Sequence, residues 1–428
     1  MSIVKKYNPV IIILIFVAVL ALNESAYAGN ASRMIGFSAR DEGMAGATTA
    51  SAEDTSCLVK NPAGLVRIGN RIDASYENIL FHDVTMHTEG PAQPLLGGAS
   101  YANNGLKQKS NIDYIPGGNA GVSYRIPGTD KFPISVGAGL FTIGGMALNY
   151  PSSRLNTALL AEGGNYDKMV DLRTMRFAPG IAAAFNDKLS FGATANIDIQ
   201  ALRTNLAHSL VGAAVPPLFA ETAGKGNWDF TVGGGFTLGL LYKINEMFNV
   251  GASYESHNWQ GHHYQYKDVL PYIDEPPIVN LGVSIKPIKN LEVTYDTRYI
   301  NWTDVKLARN SPDSGGFGWR DQWVFAVGSE YTTLKDKLKL RLGYMYGKSP
   351  IQPNVIFTNA LLPVILEHHL TTGFSYFLTK DLSLDFAWEH HFKNVMADDG
   401  GDSADAIGAG TKVSAAADVI SIGVGYKF

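Results

Sequence analysis

Leu382-Ser383-Leu384-Asp385-Phe386-Ala387-Trp388-Glu389 places Leu384, Phe386 and Trp388 on one side of an extended chain and Ser383, Asp385, Ala387 and Glu389 on the other. Successive side chains of a strand point to opposite faces, so this period of two reads as a sheet with one apolar side. The same separation recurs where Leu338, Leu340, Leu342, Tyr344 and Tyr346 alternate with Lys339, Arg341, Gly343 and Met345. At the C-terminal end, Ile420, Ile422, Val424, Tyr426 and Phe428 oppose Ser421, Gly423, Gly425 and Lys427. A soluble sandwich also alternates, so the number and spacing of such segments decide.

Extended outward from these segments, the pattern predicts strands near 71–80, 119–125, 134–148, 172–185, 189–202, 228–242, 248–259, 278–286, 291–302, 322–331, 338–347, 369–377, 382–390 and 416–428. Most approach the roughly 9–11 residues that a tilted strand needs to cross a bilayer. Tight connections such as Asn186-Asp187-Lys188, 243–247, 287–290, 332–337 and 378–381 alternate with long ones near 81–118, 149–171, 203–227, 260–277, 303–321, 348–368 and 391–415. Short periplasmic turns and long outer loops are the habit of outer-membrane barrels. The expectation is an all-β protein, a 14-stranded antiparallel transmembrane β-barrel with both termini on the periplasmic side. Closure is required, because an unpaired backbone group in hydrocarbon costs several kcal/mol.

The start of the chain reads as an export signal: Lys5 and Lys6, an apolar run from Val10 to Leu22, and an Ala26-Tyr27-Ala28 cleavage site. That run is shorter than the roughly 20 residues of an ordinary membrane-spanning helix. The domain expectation is a signal peptide at 1–28, an N-terminal plug at 29–70 and a barrel at 71–428. Charged residues make up 17% of the chain and the net charge is −4, so there is no nucleic-acid footprint. One cysteine, Cys57, excludes an intrachain disulfide.

The segment from Gly36 to Arg67 has no period of two. Small residues dominate it (Ala45, Gly46, Ala47, Thr48, Thr49, Ala50, Ser51, Ala52), and with Met34 and Ile35 just before it come the apolar Phe37, Met44, Leu58, Val59, Leu65 and Val66. A solvated tail carries fewer apolar residues. It is expected to plug the barrel; the competing reading is a frayed periplasmic tail. Tyr76, Tyr242, Tyr254, Trp259, Tyr299, Trp302, Trp323, Tyr331, Tyr346, Trp388 and Tyr426, near strand ends, are expected to form interfacial belts.

Gly36-Phe37, Gly43-Met44-Ala45-Gly46-Ala47, Ala52-Glu53-Asp54 and Asn61-Pro62-Ala63-Gly64-Leu65 together resemble the N-terminal hatch of the FadL/TodX family of outer-membrane transporters. Trp302-Thr303-Asp304, at the end of the predicted ninth strand, and Leu342-Gly343-Tyr344 with Ser349-Pro350 are similar to further family motifs; at Leu362-Pro363 the usual Pro-Asp is absent. The resemblance implies a monomeric barrel stoppered by a hatch that includes Asn61, Pro62, Ala63 and Gly64. It also implies uptake of hydrophobic small molecules, long-chain fatty acids or aromatic hydrocarbons, captured in outer loops and released sideways through a kinked third strand into the outer-membrane lipid.

A lateral route is physically sensible, because each methylene returned to water costs about 0.8 kcal/mol. Glycine inside a strand favours a bend, so Gly137, Gly139, Gly144 and Gly145 are the expected gate; alternatively they make room for the plug. The expected capture groove uses Leu155, Leu159 and Leu160 in one loop and Leu206, Leu210, Val211 and Phe219 in another; alternatively these loops pack into a cap. Arg203 and Arg341 are candidates for a ligand carboxylate, against pairing with Asp198, Glu292, Asp296 or Asp385.

His262-His263, His368-His369 and His390-His391 lack the thiolates and the same-face spacing of a metal site, and the acidic run from Asp398 to Asp402 lacks the closing Glu of a calcium loop. No metal or other cofactor is expected. No hydrolase or nucleotide-binding signature is present, so an enzyme is not expected, although an outer-membrane hydrolase assembled from separate strands is one alternative and a passive porin another.

Overall fold

The computed structural model describes residues 30–89, 93–94, 100–101, 104–151, 168–204, 226–266, 272–360, 362–401 and 409–428. Fourteen strands form one closed antiparallel barrel. They are β1 (Arg71–Phe81), β2 (Tyr114–Arg125), β3 (Ile134–Tyr150), β4 (Lys168–Phe177, continued by Gly180–Ala184), β5 (Leu189–Thr204), β6 (Asp229–Lys243) and β7 (Phe248–Glu255). The rest are β8 (Ile278–Ile288), β9 (Leu291–Ile300), β10 (Gln322–Thr333), β11 (Leu338–Gly347), β12 (His368–Phe377), β13 (Leu382–Ala397) and β14 (Lys412–Lys427). β14 pairs with β1 from Arg71↔Lys427 to Phe81↔Ala417, which removes the sheet edge that hydrocarbon would not tolerate.

The alternation sets what faces lipid. Ile72, Phe236, Leu340, Leu342, Leu384, Ile422 and Val424 are exposed on the outer surface, while Arg176, Asp198, Glu255, Arg341 and Ser421 are buried inside. Turns at the terminal end are short and have local causes. Asn186 Oδ1 accepts the amides of Lys188 and Leu189, and Asn245 Oδ1 those of Met247 and Phe248. Such Asx capping folds the chain back within a few residues.

Several boundaries differ from expectation. β2 begins at Tyr114, five residues before the predicted 119. β4 is broken at Ala178-Pro179, where proline has no N–H to give to the ladder. β13 and β14 reach Ala397 and Lys412 in a stretch expected to be loop, and a hairpin of Thr85–Glu89 and Asn104–Lys109 pairs onto that extension at Thr85↔Ser414. Beyond the bilayer the outward face no longer has to be apolar, so the alternation that marks a lipid-facing strand fades. Trp302 departs from the belt expectation: it is 4% exposed, packed inside the outer end of the barrel, where its Nε1 donates to Gln322. Tyr76, Trp259, Trp323, Tyr331 and Tyr426 are exposed on the outer wall.

The segment from Met34 to Ile68 lies within the barrel and is almost entirely buried. Ser38 caps a short helix, α1 (Ala39–Gly43), by accepting the Asp41 amide. Asn61 caps the 3-10 turn Pro62–Gly64 by accepting from Ala63, and its amide nitrogen donates to Thr49 O and to Leu240 O of β6. Contacts reach round the wall. Thr194 of β5 donates to Leu58 O, Ser253 of β7 to Lys60 O and Thr371 of β12 to Gly43 O, and Asp296 of β9 accepts from the amide and hydroxyl of Thr49.

Candidate functional site

Two features lie together in the half of the barrel that carries the long loops. One is a parting of the wall. The β2–β3 ladder runs from Arg125↔Ser135 to Asn119↔Phe141 and stops there. Tyr114 to Gly118 of β2 pair with β1, and within that stretch Pro116 is tolerated because it has a ladder neighbour on one side. At the end of the ladder Thr142 acts as a clamp: its hydroxyl accepts from Gly118 N and donates to Gly118 O, both at 3.0 Å, while its amide donates to Asn119 Oδ1.

Beyond Thr142, β3 turns to the N-terminal segment instead. Met34 N donates to Ile143 O, Gly145 N donates to Ser32 O, and Arg33 bridges Gly144. The β3–β4 register shifts at the same place, between Thr142 and Gly144. β3 returns toward the β2 side at Asn149, whose carbonyl accepts from Asn111 N.

The glycines expected to form the gate divide accordingly. Gly144 and Gly145 lie at the parting, where an added Cβ would come within 2.7 Å of Ser32 O and 2.8 Å of Leu172 O respectively. Gly137 and Gly139 lie in the regular ladder below it; a Cβ on Gly137 would meet Val122 O and Leu65, and one on Gly139 would meet Phe141 and Ala120 O.

The second feature is an apolar cavity of about 60 Å³ under the outer loops, lined by Met146, Val170, Leu172, Leu202, Ile273, Trp302, Val305, Leu307, Ala308, Phe317, Trp319 and Leu362, with Ser32, Asp274 and Glu275. The two indoles pack edge to face at 4.9 Å, and each satisfies its N–H away from the cavity, Trp302 on Gln322 and Trp319 on Asn359. Their apolar faces therefore line the space without an orphaned donor. Ser32 and Met146 connect the cavity to the parting, since Ser32 holds Gly145 and Met146 is the next residue of β3.

Both charged lining residues are acids already engaged. Glu275 holds Arg33 at 3.0 Å, and Asp274 accepts from Gln260 N and pairs with His257 at 3.2 Å. Behind them runs a buried ion network that the sequence reading did not anticipate: Arg33 with Glu255 at 2.9 Å, Arg176 with Glu255 at 2.8 Å and with Asp198 at 2.6 Å. Its one legible signal was the inward phase of polar residues on β4, β5 and β7.

The arginines expected to bind a carboxylate stand elsewhere. Arg341 is buried among barrel-lining groups toward the short-turn end, pairing with Glu330 at 2.8 Å and donating to Ser375. There it borders a polar cavity of about 240 Å³ between the N-terminal segment and the wall, together with Arg40, Arg71, Lys339, Asp73 and Asp385. Arg203 is on the outward phase of β5 with the exposed Ile197 and Ile199, bound to Asp171 at 3.2 Å. Leu155, Leu159, Leu160, Leu206, Leu210, Val211 and Phe219 lie outside the described residues.

Among the described residues, Glu53, Glu292 and Glu330 could converge on one cation, but Arg40, Lys339 and Arg341 already neutralise them. The paired histidines divide between the two faces of the sheet. His369 and His391 meet edge to face inside at 4.2 Å, whereas His390 pairs with Asp418 and His368 contacts the Tyr344 hydroxyl. Asp398 accepts from Gly400 N and Phe357 N in an ordinary turn.

The model of the outer membrane protein transport protein family (OMPP1/FadL/TodX) matches residues 19–428. Among solved structures, the toluene transporter TodX of P. putida has 19% identity and a TM-score of 0.67, with 92% of this chain and 99% of that chain covered. The toluene transporter TbuX of Ralstonia pickettii has 18% identity and a TM-score of 0.62 over 92% and 99%. A FadL homologue of Pseudomonas aeruginosa has 16% identity and a TM-score of 0.62 over 94% and 100%. No curated protein matches the chain. With a closed barrel of fourteen strands and a family model spanning it almost end to end, the chain belongs to the OMPP1/FadL/TodX family of outer-membrane transport proteins.

Proposed function

We propose that this outer-membrane transporter of hydrophobic compounds carries neutral hydrocarbons in preference to fatty acids, holds them in the cavity beside Trp302 and Trp319, and releases them sideways between β2 and β3. The observation that carries the reading is the adjacency of the apolar cavity to the stretch of β3 that leaves β2, with Ser32 and Met146 common to both. A cargo following that path stays in contact with apolar side chains and lipid, which avoids the cost of about 0.8 kcal/mol per methylene of rewetting it. The residues 30–68 are the plug that closes the aqueous route through the lumen.

The preference for a neutral cargo rests on charge. The ionisable groups lining the cavity are Asp274 and Glu275, Arg341 is held by Glu330, and Arg203 is on the outward phase of β5 away from this path, so a carboxylate in the cavity would meet acids and no guanidinium among the lining residues. The similar structures TodX and TbuX are toluene transporters and CymD is a monoaromatic hydrocarbon channel, which agrees with a neutral cargo. The reading assigns the chain transport and no bond chemistry.

The test is uptake of labelled toluene and labelled oleate by cells that make the protein or its Gly144→Val/Gly145→Val variant. Toluene uptake should exceed oleate uptake and fall in the variant while the folded barrel persists. Unchanged uptake by a correctly assembled variant places the exit elsewhere, and faster oleate uptake overturns the neutral-cargo assignment.

A further inference from the structure

Near the long-loop ends of β4, β5 and β6, the lipid-facing surface changes from apolar to basic within two residue rows. Ile199 and Val232, paired across β5 and β6, are 44% and 63% exposed. The next row holds Phe230, 64% exposed, beside Ala201 and Arg173. Above it, Asp171 pairs with Arg203, and Trp228 stands just before β6. The Arg173 and Arg203 guanidinium carbons lie 5.3 and 4.7 Å from the centre of the Trp228 ring.

Both arginines share one acid. Arg173 grips Asp171 through Nε at 2.8 Å, and Arg203 reaches it at 3.2 Å. Among the described residues, two guanidiniums against one carboxylate leave a net positive charge, and Arg203 Nε is buried with no hydrogen-bond partner. Asp229, the acid next to Trp228, is on the inward phase opposite Leu202 and accepts from Gln265 N, and Asp198 is on the inward phase bound to Arg176, so neither supplies the missing negative charge. The side chains of Arg173 and Arg203 remain 38% and 33% exposed beside the lipid-facing Phe230.

We propose that Arg173, Arg203 and Trp228 form a binding site on the outside of the barrel for a phosphate of the phosphorylated glycolipid in the outer leaflet. The charge, the fork geometry and the height above Phe230 each fit such a group. Phosphate oxygens take guanidinium forks in bidentate pairs, and a cation held over an indole is already partly removed from water. The site is at the long-loop end of the barrel, so it meets the outer leaflet, and it is separate from the cargo path inside the wall.

The test is native mass spectrometry and tryptophan-quenching titration of the full-length protein in detergent, with bisphosphorylated lipid A, its dephosphorylated form, phosphatidylglycerol and inorganic phosphate as probes. Bisphosphorylated lipid A should bind tightest. Arg173→Gln/Arg203→Gln should weaken it by at least about tenfold, consistent with losing two charge-assisted contacts. Asp171→Asn supplies a second arm: it removes the competing carboxylate, so lipid A should bind at least as tightly, whereas a purely structural ion pair predicts weaker binding. Equal binding of dephosphorylated lipid A, or unchanged affinity in the folded double-glutamine variant, overturns the site. Phosphatidylglycerol binding as tightly as lipid A overturns the glycolipid assignment.

Discussion

Gly192 of β5 holds a place for another element by having no side chain. A Cβ there would lie 2.3 Å from the Pro62 carbonyl carbon, so the wall and the Asn61-Pro62-Ala63-Gly64 turn meet backbone to backbone. Gly192→Val should cost about 1–3 kcal/mol by overpacking, read as a lower unfolding temperature in detergent and faster proteolysis within residues 30–68. Gly234→Ala is the control, since its nearest atom would be 3.6 Å away, and should change stability by less than about 0.5 kcal/mol. Glu367, in the loop before β12, is 4% exposed, has an unpartnered Oε2 among the described residues, and is pushed by burial from 4.5 to about 7. A carboxyl raised above its unfolded value contributes stability below about 4.5 that is lost as pH rises through about 7. The outer loops should therefore resist protease better at pH 5 than at pH 8. Glu367→Gln should flatten that difference; an equally steep profile in the variant would assign it to another group.

At the scale of elements, the N-terminal residues before α1 behave as a short extra strand on β3, and Arg33 anchors it. Removing the guanidinium with Arg33→Met leaves Glu275 without its cation while Glu255 keeps Arg176. Breaking one side of such a buried pair costs about 3–5 kcal/mol. Hydrogen exchange should speed up at the Met34 and Gly145 amides, which bond across this contact, and stay slow in the β9–β10 ladder. Equal loss of protection in both places would mean that Arg33 stabilises the whole barrel rather than this contact. The strands were legible because lipid demands an apolar face, so Leu384, Phe386 and Trp388 announce β13 without help from any neighbour. Pro179 was equally visible, yet a continuous period of two on either side concealed the break. The cavity could not be read in the same way. Met146, Leu202, Trp319 and Leu362 lie on β3, β5 and two outer loops, and periodicity gives a residue's face but not its position around the barrel. Arg203 shows the cost of ending the strand at 202 when it runs to Thr204: its phase follows Ile197 and Ile199 outward, whereas a loop position left it a candidate for a ligand carboxylate.

Taken whole, the molecule is dry on the outside and filled on the inside, and neither property suffices without the other. A barrel of this size with an empty polar lumen would pass water and ions. Here Arg40 bonds Glu330, Thr49 bonds Asp296, and Asn61 bonds Leu240 O, so the N-terminal segment is tied to several strands on different sides of the lumen. Severing any one tie leaves the others. Deleting residues 36–67 removes all of them while leaving every barrel strand its neighbours. Full-length protein in planar bilayers should therefore conduct ions poorly, and the deletion should raise the conductance by at least about tenfold, toward that of an open channel. A greasy cargo tests the converse. If it leaves between β2 and β3, the deletion gains ions without gaining toluene flux, because it also removes Ser32's neighbouring chain and the surface that β3 leans on. A rise in both together would mean that cargo and ions share the lumen, and the parting at Thr142 would then be structural relief rather than an exit.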